Sequence, residues 1–253
     1  NPTNMKNIII ILFVSISTLA CSQGGKLKKA DDLYFKLAYA EAAPLYLELL
    51  GSEFDNPRLK SKLANSYYQM GNTAEAERYY AQVVSTVEAT SDDVYNYAQA
   101  LKENGNYLTS DNWMDKFSSM KSSDTRGQQF IINKEYVKQI ESQGAYFSIN
   151  HLTLNTENTE LGGYPGVDGK VYFVSNKTES SAIKRYHTWN SRSFLDLYSA
   201  DVDENTQLIN TEYQPKKINK KYHEGPLCFS PNGKLVYYTR NNMSTGSNRR
   251  DNE

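Results

Sequence analysis

Small and aromatic residues recur every 34 positions in the first half of the chain. The rows are Ala30, Ala64 and Ala98; Ala42, Ala76 and Ser110; and Tyr46, Tyr80 and Met114. This period is typical of stacked helical hairpins, because each hairpin can bury its apolar face only against its neighbours. The pattern therefore predicts an α-helical solenoid over residues 26–120.

The middle repeat shows how such a hairpin is built. We expect its first helix over residues 56–70 and its second over residues 74–86, with Gly71 ending the first helix in the left-handed conformation. Ala64 and Ala76 are predicted where the two helices cross, since small side chains permit close approach. In the first repeat Leu37 stands in place of the turn glycine, and Pro44 is predicted in the first turn of the second helix. The second helix of the third repeat is expected from Ser110 onward.

The pattern changes after the third repeat. Apolar residues at helical spacing predict one or two further helices over residues 121–145 that cap the solenoid. These residues are Phe130, Ile131, Tyr136, Val137 and Ile140. From residue 146 onward, short runs rich in β-formers alternate with Gly, Asn, Asp and Pro, which predicts strands.

Two segments of the strand-rich half share one design. In each, a strand precedes a tight-turn pair, Asp168-Gly169 or Asn232-Gly233, followed by a lysine and a second apolar strand. Asp-Gly and Asn-Gly favour hairpins because both residues tolerate positive φ. Residues 194–200 and 214–218 are the expected outer strands.

The first 22 residues have the layout of an upstream extension and an export signal. Lys6 precedes an apolar run over residues 8–16, and the small residues before Cys21 form a cleavage site. Cleavage before Cys21 makes this residue a candidate lipid anchor, whereas cleavage after Ser22 removes it. The sequence leaves both alternatives open and predicts an exported protein.

Composition and charge narrow the function classes. The 253 residues are 39% hydrophobic and 23% charged, as in globular domains. The net charge of −1 provides no bulk attraction to nucleic acid, and we expect no nucleic-acid partner. Two cysteines exclude a disulfide framework, and Cys228 is predicted to be a buried small hydrophobe.

No motif for catalysis, nucleotide binding or metal binding is found, so neither a catalytic residue nor a cofactor is predicted. The three histidines are predicted to lie in separate contexts, without metal-ligand spacing, at His151, His187 and His223. The acidic residues of the strand-rich half are interpreted as solvated hairpin residues, namely Asp196, Asp201 and Asp203.

The repeat rows, with Gly71 and Gly105 at the turns, resemble tetratricopeptide repeats. The resemblance implies that the inner face of the first helices binds an extended partner segment. The matching positions are Asp31, Tyr34, Asn65, Tyr68, Gln69, Gln99 and Lys102. The alternative is a plain solvated face, with the partner bound elsewhere on the solenoid.

The run Phe-Ser-Pro-Asn-Gly-Lys at residues 229–234 is similar to the blade motif of TolB-like β-propellers. The resemblance implies that residues 146–253 are the first blades of a propeller and that the chain is a fragment. The expected fold class is therefore α+β and multidomain, with a tetratricopeptide solenoid followed by a partial, truncated propeller.

Together these parts resemble a family of Bacteroidetes envelope proteins that continue into an OmpA-type peptidoglycan-binding domain, including components of type IX secretion and gliding. The resemblance implies a non-catalytic, outer-membrane-associated periplasmic scaffold for envelope or secretion-complex proteins. It implies peptidoglycan binding only through the missing domain. The alternatives are a propeller-gated serine peptidase fragment without its hydrolase domain and a glycan-binding lipoprotein, for which Trp113 and Trp189 offer little support.

Overall fold

The computed structural model describes residues 23–177 and 186–241. The chain divides into two compact units, each described here by itself. The helical unit extends to Ala145 and includes Thr188–Asn190, and the strand unit comprises Tyr146–His187 and the residues from Ser191 onward.

Three helical hairpins form the main part of the helical unit. The helices are α1 (residues 23–35), α2 (Tyr39–Glu48), α3 (Pro57–Gln69), α4 (Thr73–Val84), α5 (Ser91–Glu103) and α6 (Tyr107–Met120). The helix boundaries repeat at the predicted period, since α2, α4 and α6 begin 34 residues apart and so do α3 and α5.

The turns and caps show why the helices begin and end at this period. Leu37, Gly71 and Gly105 occupy the left-handed region at φ values of 61°, 79° and 82°. The side chains of Asn56 and Thr90 accept hydrogen bonds from backbone N–H groups in the first turns of α3 and α5. These bonds satisfy donors that have no partner within the helix.

The three predicted rows form the interior of the hairpin stack. Ala30, Ala64, Ala98, Ala42 and Ala76 are completely buried. In the third hairpin, Ser110 and Met114 take the positions of alanine and tyrosine and are also buried. The Ser110 hydroxyl donates to the Ala98 carbonyl at 2.7 Å, which satisfies a polar group that the alanine row lacks.

Two local predictions are wrong. Pro44 is the sixth residue of α2, beyond its first turn, so it removes a hydrogen bond within the helix. The helix α6 begins at Tyr107 rather than Ser110, because Asn106 holds the same N-cap position that Asn72 holds for α4.

Two further helices follow the third hairpin, α7 (Thr125–Ile132) and α8 (Tyr136–Gln143), and a short 3-10 turn (Gly144–Tyr146) ends the segment. The helix α7 begins 34 residues after α5, and the side chain of Asp124 caps it. A Cβ on Gly127 would lie 2.8 Å from Ser118 Oγ, so only glycine permits this approach to α6. Phe130 packs against the third hairpin, whereas Ile140 is 64% exposed. The predicted apolar stripe is therefore only partly covered.

The strand unit contains a four-stranded antiparallel sheet and a separate hairpin. The sheet has the order β1 (Glu160–Pro165), β2 (Val171–Ser175), β3 (Asp196–Val202), β4 (Leu208–Tyr213). The hairpin consists of β5 (Glu224–Phe229) and β6 (Val236–Arg240). Each strand pairs with its sequence neighbour, which gives a simple meander.

The two predicted tight turns are present and alike. Gly169 and Gly233 have φ values of 80° and 66°. In both turns the preceding side chain, Asp168 or Asn232, accepts a hydrogen bond from the backbone N–H of the following lysine. Irregular pairing also interrupts β1–β2 and β5–β6 at matching places. The hairpins are thus two copies of one structural motif.

Other strand-half predictions are corrected. Residues 214–218 form a turn that Pro215 begins, and the strand beside β3 lies just before them in β4. Cys228 is exposed, because side chains alternate along β5 and Leu227 takes the buried side. Asp196 is half-buried rather than solvated, and burial raises its pKa to about 6.

None of the helices in the described ranges has the length and apolar character needed to cross a membrane.

Candidate partner-binding groove

The predicted groove residues lie on α1, α3 and α5, and the structure links the first part of the set into one network. Asp31 accepts hydrogen bonds from the Tyr46 hydroxyl at 2.6 Å and from Lys62 Nζ at 2.7 Å. Asn65 Nδ2 donates to the Tyr34 hydroxyl at 2.6 Å. Gln69 Nε2 lies 3.5 Å from Asn65 Oδ1. Consecutive first helices are thereby joined side by side.

Aromatic packing holds Tyr34 in this network. Its ring contacts those of Phe35, Tyr39 and Tyr46 edge-on, at centroid distances of 5.5–6.2 Å. Burial raises the pKa of the Tyr34 hydroxyl, and the Asn65 bond opposes this effect. Tyr34 is therefore a neutral, fixed phenol at physiological pH.

Tyr68 belongs to a second contact between hairpins. Its hydroxyl donates to Glu103 Oε1 at 2.8 Å. Burial, followed by the neighbouring Glu103 carboxylate, raises the pKa of this tyrosine. Its ring is half-buried. Tyr68 therefore offers a partner a ring edge and a hydroxyl that is already oriented.

Gln99 and Lys102 line a cavity of about 470 Å³ between α5, α6, α7 and α8, here called the α5–α7 cavity. The Lys102 Nζ lies 5.7 Å from the centroid of the Tyr136 ring. Gln99 Nε2 has a thioether partner, Met114 Sδ at 3.5 Å, which is a weak acceptor. Thus two predicted groove residues share a concave site, whereas the other five lie in the contacts along α1 and α3.

Sequence reasoning missed the contribution of α7. Arg126 donates to Asp92 on α5 and to Asp124, and its guanidinium stacks on Tyr95 at 4.3 Å. These contacts hold α7 beside α5 and so form one wall of the cavity. Since Thr125 lies 34 residues after Ser91, extending the repeat register by one unit could have found this helix face.

Asp111 is the other charged residue of the α5–α7 cavity that the sequence analysis overlooked. Burial raises its pKa, and the nearby Asp115 carboxylate adds to the effect. None of the described residues donates a hydrogen bond to its carboxylate or forms a salt bridge with it, and the same holds for acid partners of Lys102.

The strand unit brings two histidines together, contrary to the prediction of separate contexts. The rings of His187 and His223 have centroids 5.2 Å apart. His223 Nδ1 accepts a hydrogen bond from the Leu195 backbone N–H at 3.0 Å, and burial lowers the pKa of this histidine. Within the described residues, no three His, Cys, Asp or Glu side chains are arranged to hold a metal ion. The proposed lipid-anchor residue, Cys21, lies outside those residues.

No protein-family model matches the sequence, and no curated protein is significantly similar to it. Similar solved structures include the Sgt2 tetratricopeptide repeat domain from Aspergillus fumigatus, with a TM-score of 0.42 and 13% identity over 54% of this chain and 91% of that chain. The first such domain of Spaghetti, solved with an HSP90 peptide, has a TM-score of 0.39 and 14% identity over 49% of this chain and 93% of that chain.

A third similar structure is the C-terminal part of a tetratricopeptide repeat protein from Cytophaga hutchinsonii. It has a TM-score of 0.38 and 18% identity, and the match covers 49% of this chain and 52% of that chain. All three structures are tetratricopeptide repeat domains. At these TM-scores the function of this chain has to be argued from its own geometry.

Proposed function

We propose that this protein is a non-catalytic scaffold whose helical hairpins, of the tetratricopeptide type, bind a segment of another protein. The observation that carries the proposal is the continuity of the first-helix face. Side chains join α1 to α3, α3 to α5 and α5 to α7, and this face ends in the α5–α7 cavity. Such a stack gives a partner segment a long, fixed surface.

The polar groove residues suit an extended segment. Asn65, Gln69 and Gln99 carry amides that can bond the unpaired backbone groups of a peptide, and Tyr34 and Tyr68 add ring contacts. Because neighbouring side chains already hold Asn65 and both tyrosines, binding costs less side-chain entropy than it would on a loose surface.

We further propose that the protein is exported and acts in the periplasm at the outer membrane, linking a secretion or gliding complex to the envelope. The export-like N-terminal sequence, the candidate anchor Cys21 and the two similar β-hairpins support this proposal. In it, the strand unit contributes the first blades of a propeller, and peptidoglycan is bound only through a domain that the chain lacks. Mass spectrometry of the mature N-terminus tests the anchor, since acylation adds a defined mass to Cys21.

Site-specific photo-crosslinking tests the binding function. A photoreactive amino acid replaces Gln99 in the full chain, and crosslinked proteins are identified from the source cells. The matched site is Lys116, which lies on α6 with its ammonium over Trp113 and does not line the cavity. We expect a discrete protein partner from position 99 that is absent from position 116.

The partner is then purified and its affinity measured for a double variant, Tyr68→Ala with Lys102→Glu. The expected loss is at least about tenfold, because both a ring contact and a charge contact are removed. The charge-matched control is Lys116→Glu. Affinity that is equal for the wild type, the double variant and the control would reject the groove as the binding site.

A further inference from the structure

The α5–α7 cavity combines an apolar floor with charged groups of both signs that lack protein partners. Met114, Phe130 and the ring of Tyr95 supply the apolar surface. Lys102 and Asp111 line the same cavity, and in the described part of the chain neither has an ion-pair partner. By contrast, Arg126 at the cavity wall is neutralised by Asp92 and Asp124.

Unpaired charges beside an apolar cavity are unusual within a packed helical stack, since most buried or half-buried charges are paired. Here Lys102 has only the face of the Tyr136 ring as a neighbour, and both residues are half-buried. Gln99, which lines the same cavity, donates only to a thioether, so its amide can exchange a weak partner for a stronger one. These three polar side chains converge on a space large enough for several side chains of a ligand.

Resting on the proposed function, we infer that the occupant of this cavity is a peptide segment of the partner with one large apolar side chain flanked by an acidic and a basic residue. The apolar side chain packs on Met114 and Phe130. The acidic residue pairs with Lys102, and the basic residue pairs with Asp111. Gln99 hydrogen-bonds the peptide backbone between them.

Charge complementarity distinguishes this occupant from a purely apolar or uniformly acidic segment. An acidic segment would leave Asp111 facing like charges, and a purely apolar one would bury Lys102 and Asp111 without partners. Both arrangements oppose binding. A segment that carries both charges neutralises the cavity while its apolar anchor displaces water from the floor.

A display library of random twelve-residue peptides, selected on the full chain, tests this inference. We expect the enriched peptides to carry Leu, Met or an aromatic residue with one acidic and one basic neighbour. Lys102→Glu should weaken a selected peptide about tenfold, and changing the peptide's acidic residue to lysine should restore most of that loss. Asp111→Lys should show the same behaviour toward the basic residue. Lys116→Glu is the control and should leave affinity unchanged.

Enriched peptides without the paired charges, or charge swaps that fail to restore affinity, overturn this inference, and so does a selection that enriches no peptide. None of these results removes a protein partner crosslinked at position 99, so failure here is distinguishable from failure of the proposed function. Far-UV circular dichroism and thermal unfolding of each variant confirm that the helical unit remains folded.

Discussion

The side-chain amide of Asn65 donates to the hydroxyl of Tyr34 at 2.6 Å, and the two residues lie on the first helices of consecutive hairpins. A parallel contact 31 residues apart joins Lys62 to Asp31. Ser61 and Asp93 form the corresponding bond between the next two hairpins. The register of the stack is thus fixed by polar bonds as well as by the buried alanine rows.

Removing the Tyr34 hydroxyl tests this interpretation. Tyr34→Phe keeps the ring contacts but leaves the Asn65 amide without its closest acceptor, so the free energy of unfolding should fall by about 1 kcal/mol. The measurement is urea unfolding followed by circular dichroism at 222 nm. Tyr107→Phe is the control, because Tyr107 is 47% exposed. Equal stability of the two variants would show that the bond contributes nothing.

The helix-ending turns predict opposite effects at equivalent positions. Gly71→Ala should cost about 1 kcal/mol, since a Cβ there meets no atom within 4 Å but φ is +79°. Leu37→Gly should stabilise the first hairpin, because Leu37 already bears this strain at φ +61°. Gly144→Ala provides the control at a right-handed φ of −57° and should not destabilise. The midpoint of thermal unfolding checks all three, and a stabilising Gly71→Ala contradicts the assignment.

Close packing of β1 on β5 predicts a steric effect in the strand unit. A Cβ on Gly162 would lie 2.3 Å from Pro226 Cγ, and φ there is +69°. Gly162→Ala should therefore destabilise the strand unit by about 2–4 kcal/mol, as overpacking adds to backbone strain. Gly169→Ala has the backbone strain without a clash and should cost about 1 kcal/mol. Hydrogen exchange in β1 and β5 measures both variants, and similar costs would exclude the clash.

The stability of the strand unit should depend on pH through Asp196. Burial raises the pKa of this carboxyl to about 6, so the folded state takes up a proton that the unfolded state does not bind until lower pH. Stability should consequently increase as pH falls from 7 to 5. Burial also raises the pKa of Glu224, which adds in the same direction. Hydrogen exchange in β3 and β4, corrected for intrinsic rates, measures the change.

Asp196→Asn should reduce this pH dependence, and Glu224 should account for what is left. The control is Glu204→Gln, which alters an exposed acid in the turn between β3 and β4. A strand unit that becomes less protected at pH 5 than at pH 7 would reverse the predicted sign.

The sequence predicted the hairpin stack well because its information is local and repeated. Ala64, Ala76 and Tyr80 mark packed positions, and Gly71 marks a turn that other residues enter only with strain. The exceptions follow from context. Pro44 lies inside α2, where the boundaries are set by the register of the whole stack rather than by the proline itself.

The candidate site was predictable only in part. Gln99 and Lys102 could be assigned to the groove by their position in the repeat. The α5–α7 cavity also needs Phe130 and Tyr136, whose helices depart from the repeat pattern in length. Likewise, nothing in the spacing of His187 and His223 indicated that their rings meet, because strands distant in sequence bring them together.

By itself, the sequence determined the period of the helices, the positions of the tight turns and the division into a helical and a strand-rich half, since these depend on residue type at fixed local spacing. Tertiary structure decided which polar groups acquire partners. Arg126 was neutralised by two acids, while Lys102 and Asp111 were left facing a cavity. That outcome depends on how three helices approach one another, and packing geometry of this kind is not encoded in any single stretch of the chain.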